Sequence, residues 1–137
     1  MCIRDSHRIM PIHGLAHYNI RAERALVEVL REFYVTVVGL QAGPRPIASF
    51  GYWLYAGERD VLHLSETASG ETRRSGSDLT FDHVAFKCEN WQEFKSRLER
   101  HAIKFSERGG QGNVRRQVFF RDPAGNGIEL SFPPATA

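Results

Sequence analysis

The stretch DVLHLS at residues 60–65 alternates like a half-buried β-strand, with Leu62 and Leu64 turned to one face and Val61, His63 and Ser65 to the other. Sixty-six positions later, residues 126–131 read NGIELS, and Glu129, Leu130 and Ser131 stand where His63, Leu64 and Ser65 stood. The same offset carries His17, in LAHYNI, onto His83, in FDHVAF. One spacing thus relates two pairs of residues able to ligate a metal. A repeat of this kind decides the fold before any single element does.

Working outward, each half reads strand, helix, then three strands. In the first half GLAHYNI is a strand, and ERALVEVLREFYVTVVGL is a helix with Leu26, Val29, Leu30, Phe33 and Val37 as its buried stripe and Gly39 as its stop. IASFGYWLYAG and DVLHLSE form a hairpin around Gly57 to Asp60. In the second half FDHVAFKC is the strand, Asn90 and Glu93 resemble a capping box, and Trp91, Phe94 and Leu98 mark the buried helix face. AIKFSE, NVRRQVFFRD and NGIELSF supply three more strands. The expected fold class is α+β, with two βαβββ modules at 13–66 and 81–133 forming a curved mixed sheet around a central cavity. TASGETRRSGSD, within 67–80, is the linker, and residues 1–12, without a clean period, read as a leader or tail.

Strand alternation places His17 with Leu15 and Asn19, His83 with Phe81 and Ala85, His63 with Val61 and Ser65, and Glu129 with Gly127 and Ser131. The opposite faces are apolar and belong under the helices. His17, His63, His83 and Glu129 are therefore expected on the open side, where three imidazoles and a carboxylate suit zinc, iron, nickel, cobalt or manganese.

The chain of 137 residues is 42% hydrophobic and 25% charged, with a formal net charge of +2. That composition is globular rather than disordered. Its basic residues are scattered, with doublets only at Arg73/Arg74 and Arg115/Arg116, so no nucleic-acid partner is expected. Cys2 and Cys88 are too few for a disulfide framework, and no apolar run approaches the ~20 residues of a membrane span. A cytoplasmic setting without membrane association is the expectation.

LAHYNI, the FYVTVVGL helix exit, DVLHLSE, FDHVAFKC and above all QVFFRDPAGNGIELSF resemble the vicinal oxygen chelate superfamily, which includes glyoxalase I, bleomycin-binding proteins and extradiol dioxygenases. The resemblance implies paired βαβββ modules, commonly in a homodimer, with a metal held by the first and last strands. It matches His17, His83 and Glu129 to metal ligands. His63 departs from the Glu or Gln often found at its place, which leaves open four protein ligands or three with His63 behind them. A small substrate chelating the metal through neighbouring oxygens, and a lyase or isomerase reaction, follow from four ligands, with Glu129 or His63 as the catalytic base. The alternatives are an iron-dependent ring-cleaving dioxygenase using His17, His83 and Glu129, and a protein that sequesters a small molecule without reaction.

Asn19, Tyr52, Trp53 and Arg116 are the candidates for substrate binding: Asn19 beside His17, the aromatics as a pocket wall, Arg116 as an anchor for an anionic group. RGGQGNV at 108–114 is expected to form a mobile lid, Cys88 to be buried and inert, and His101 to end its helix.

Overall fold

The computed structural model describes residues 11–76 and 78–135. The leader expected at 1–12, with Cys2, therefore lies almost wholly outside the described residues. From residue 18 onward the chain runs β1 (Tyr18–Ala22), α1 (Arg24–Phe33), β2 (Gln41–Gly43), β3 (Gly51–Ala56) and β4 (Arg59–Glu66), then β5 (His83–Lys87), α2 (Trp91–Arg100), β6 (Ser106–Gly109), β7 (Arg116–Arg121) and β8 (Gly127–Phe132). These are the two expected βαβββ modules. Each forms a four-stranded mixed sheet, ordered β1-β4-β3-β2 and β5-β8-β7-β6, whose first and last strands pair in parallel.

The alternation read from DVLHLS and NGIELS holds in three dimensions. Leu62, Leu64, Ile128 and Leu130 are fully buried. Each is worth roughly 2 kcal/mol of burial, which pins the register, since a one-residue slip would send all four to the open face. Helix α1 differs in its stripe. Val27, Leu30, Phe33, Tyr34, Val37 and Val38 are buried, whereas Val29, expected inside, is half exposed. Past Phe33 the helix widens into a π turn over Tyr34–Val38, which rotates the later residues relative to a uniform 3.6 period and brings Val37 and Val38 inward together. Gly39 then ends it with φ 100°, a left-handed conformation suited to glycine.

Two further expectations are corrected. Asn90 caps α2 from a left-handed backbone with φ 67° and makes no side-chain cap hydrogen bond, so the capping box with Glu93 is absent. The strand expected over 47–57 begins only at Gly51, and the third strand of the first module is the short exposed edge β2. His101 ends α2 as expected, its backbone N–H donating to Arg97.

The modules join through their helix-covered sides in one shared core. The Tyr34 hydroxyl donates to Asp122 Oδ2 at 2.7 Å in a fully buried bond between modules. Asp122 also accepts from the backbone N–H groups of Ala124 and Asn126, fixing the DPAGN turn before β8. Phe33 packs on Phe120 and Tyr18 on Phe86 across the same junction. Both open sheet faces are thereby turned outward, and β1 and β5 are left as sheet edges.

Candidate metal centre

In the first module β1 pairs with β4 so that Asn19 lies opposite His63, and β3 pairs with β4 so that Trp53 lies opposite His63. His17 precedes β1 on the same face. The His63 ring is stacked between two others: 3.7 Å from His17 at 13°, and 4.3 Å from Trp53 at 7°. Its Nε2 donates to Asp60 Oδ2 at 2.7 Å, a carboxylate at the start of β4. His17, Asp60 and His63 each offer a ligand atom within 4.8 Å of the others, the one such group of three among the described residues.

The chemistry of this set suits a divalent cation. An imidazole binds a metal in its own ring plane, however, and two nearly parallel planes 3.7 Å apart do not share a bonding point. His63 or His17 must turn out of the stack before both rings can ligate together.

The second module places His83 at the start of β5 and Glu129 in β8. Here His83 Nε2 lies 3.0 Å from Glu129 Oε1, and His83 Nδ1 lies 2.8 Å from Asp82 Oδ2. Two donors about 3 Å apart match neighbouring corners around a cation with ligand bonds of ~2.1 Å, so this pair fits a metal as it stands. Asp82 fixes the ring by its other nitrogen, the arrangement by which a carboxylate orients a ligating histidine. Hydrogen bonding to Asp82, and then the charge of Glu129, raise the His83 pKa above its ordinary value. Glu129 is itself buried, and its second oxygen accepts from Gln117 Nε2 at 3.2 Å.

The structure thus brings His17 together with His63, and His83 together with Glu129, but His83 and Glu129 do not join the group of His17, Asp60 and His63. Within one chain there are two partial sites, one on each outward sheet face. Sequence spacing does not mark Asp60 as a partner of His63, because strict alternation puts the two on opposite faces; they meet where the β3–β4 pairing shifts register between Leu54 and Ala56. The one available signal was a carboxylate three residues from a strand histidine, a weak one.

The four candidate substrate contacts divide evenly. Trp53 and Asn19 lie on the open face, Asn19 Oδ1 accepting from Ser65 Oγ at 3.1 Å. Tyr52 is opposite Leu64 on the helix side, and its hydroxyl donates to Glu28 of α1 at 2.7 Å. Arg116 is opposite the buried Phe132, lies over the Trp91 ring at 5.1 Å and pairs with Glu107. Its neighbour Arg115 takes the open side instead, donating to Ser131 Oγ at 3.0 Å. Cys88 is half-buried, and burial pushes its thiol pKa up to about 11, in keeping with an inert sulfur.

No helix is long and apolar enough among the described residues to cross a membrane. No curated protein matches the chain. Among solved structures, the chain is similar to a protein assigned to the glyoxalase family from Bacillus anthracis, at 23% identity and a TM-score of 0.71 over 90% of this chain and 98% of that one. It is also similar to a glyoxalase/dioxygenase from Nostoc punctiforme, at 18% identity and a TM-score of 0.71 over 90% and 93%. Lactoylglutathione lyase from Agrobacterium tumefaciens aligns at 22% identity and a TM-score of 0.62 over 90% and 96%. At these identities the likeness speaks for the fold. Residues 14–130 match the family model of the Glyoxalase/Bleomycin resistance protein/Dioxygenase superfamily, and the chain belongs to that superfamily.

Proposed function

We propose that this protein is a metal-dependent lyase or isomerase acting on a small substrate that presents two neighbouring oxygens, and that its site is completed by a second copy of the chain. The carrying observation is the pairing of partial sites. His17 and His63 stand on the outward face of one sheet, His83 and Glu129 on the other, and His17 and His83 sit at or just before strands with a free edge, His63 lying one strand in from that edge. Apposing the β1 edge of one copy to the β5 edge of another joins the halves into three imidazoles and one carboxylate, twice per homodimer. An exposed apolar residue stands two positions before each of these histidines, Leu15 before His17 and Phe81 before His83, as an interface near both halves requires.

A divalent cation bound there would polarise a substrate oxygen and stabilise negative charge on it. The chain's residues do the rest. Trp53 walls the site against the stacked imidazoles, Asn19 offers an amide beside His17, and Asp82 and Gln117 hold His83 and Glu129 in place. Glu129 and His63 are the groups positioned to take and return a proton. The similar protein from Agrobacterium tumefaciens is named a lactoylglutathione lyase, which is a lyase as proposed here.

A second reading, a non-catalytic binder of an aromatic molecule, draws on the ring stack of Trp53, His63 and His17, which is a ready platform for a flat ligand. Metal analysis of the purified protein separates the two. The enzyme reading expects about one tightly held metal per chain, lost in Glu129→Gln. A protein that takes up no metal, and gains no thermal stability when zinc, nickel or manganese is added, is the binder.

A further inference from the structure

The open face of the second module carries a row of cations one step along the strands from Glu129. Register sets it. Ala85 lies opposite Glu129, and the next pair on that face is Lys87 opposite Ser131, with Gln117 facing Ser131 from β7. Arg115, just before β7, reaches into this row and donates from a terminal guanidinium nitrogen to Ser131 Oγ. Two residues of strand span ~7 Å, so the row lies about that far from the Glu129 level.

Lys87, Arg115 and Ser131 line a cavity of about 590 Å³ where the second module meets the end of the β2–β3 hairpin, with Tyr55, Phe86 and Cys88 also in its wall. Glu89 is the only carboxylate among the described residues lining it. No described carboxylate lies within salt-bridge distance of Lys87 or Arg115, unlike Arg116, which is paired with Glu107. A guanidinium oriented by a serine hydroxyl, with Lys87 opposite that serine in register and both cations in the wall of one cavity, suits an oxyanion.

We propose that Arg115, oriented by Ser131 and assisted by Lys87, binds an anionic group of the substrate. The substrate class is then a small chelating molecule that carries a carboxylate or phosphonate about 7 Å from its metal-binding oxygens. This inference rests on the metal reading above and narrows it, since a neutral catechol leaves the cationic row without a role.

The test compares three hydroxamates on zinc-loaded protein by calorimetry: acetohydroxamate, which is neutral beyond its chelating end, and the analogues bearing a carboxylate (succinic monohydroxamate) or a phosphonate (3-phosphonopropionohydroxamate). At least one tailed probe should bind about tenfold more tightly than acetohydroxamate, and the better of the two identifies the oxyanion. Arg115→Gln should abolish that advantage and Arg115→Lys should keep part of it. Equal affinity of all three probes, or an advantage that survives Arg115→Gln, overturns the assignment. If the protein takes up no zinc, the metal reading falls and the anion subsite is judged alone by titrating inorganic phosphate. Saturable NMR shifts of the Arg115 and Ser131 amides, lost in Arg115→Gln, then support it, and unmoved resonances overturn it.

Discussion

At the scale of single residues, the histidines do unequal work. His83 is set between Asp82 and Glu129 with both ring nitrogens engaged, whereas His63 is held by one carboxylate and two ring faces. Asp60 orients the His63 ring, so Asp60→Asn should weaken metal binding by about 10- to 100-fold while leaving the fold intact, read by competition with a chromophoric chelator. Unchanged affinity would remove Asp60 from the site. Tyr34 tests the junction rather than the chemistry. Tyr34→Phe deletes a buried hydrogen bond to a carboxylate and should cost about 1.5–3 kcal/mol in urea unfolding, because Asp122 loses one charged-group partner across the modules. The pairing of His17 with His63 and of His83 with Glu129 was legible from the sequence because a repeat offset and a two-residue period survive without any tertiary information. Which of Arg115 and Arg116 takes the open side was not, since that needs the register to one residue. Tyr52 was equally hidden, because an aromatic suits a cavity wall and a helix-covered sheet face alike.

At the scale of elements, β8 positions the second half-site and its glycine shows how tightly. A Cβ at Gly127 would meet the Asp82 carbonyl oxygen at 2.1 Å and the His83 Cβ at 3.0 Å. Gly127→Ala should therefore push β5 from β8, lowering stability by about 1–3 kcal/mol and displacing His83 with a loss of metal affinity beyond that stability cost. Thermal unfolding and metal titration of the same variant check both parts. The linker is anchored by charge. Glu71 accepts from Arg21, from the Ala68 backbone N–H and from Arg73, and these bonds lower its pKa from 4.5 to about 2. A carboxylate with a depressed folded pKa stabilises the fold above its unfolded value and loses that contribution as pH falls through the folded one. The stability lost between about pH 4.5 and pH 2 should thus be smaller in Glu71→Gln than in the wild type, and matching acid limbs would show that Glu71 contributes nothing. The helix α1 stripe was only partly legible. Its π turn is a departure from helical period that side-chain spacing does not announce, and a uniform period places Val29 inward where the structure leaves it half exposed. The glycines expected in a lid at 108–114 do adopt left-handed backbone at Gly109, Gly110 and Gly112, a tight turn between β6 and β7.

At the scale of the whole molecule, the repeat explains the two sheets, and the shared core explains why their open faces point away from each other. Hydrophobic patterning specifies which face of each strand is buried, but not whether two buried faces belong to one chain's core or whether two open faces meet across chains. Convergence of four ligands was therefore expected from the sequence, and within one chain the structure shows two pairs instead. Joining them through a second copy is the central claim, and complementation tests it directly. A chain carrying His17→Ala and His63→Ala is co-expressed with one carrying His83→Ala and Glu129→Ala, and metal content is counted by native mass spectrometry of the purified mixed dimer. Sites shared between copies predict no bound metal in either variant alone and one metal in the mixed dimer, where an intact first-module half meets an intact second-module half. A mixed dimer as empty as its parents, or metal retained by the His83→Ala and Glu129→Ala chain alone, would contradict the account.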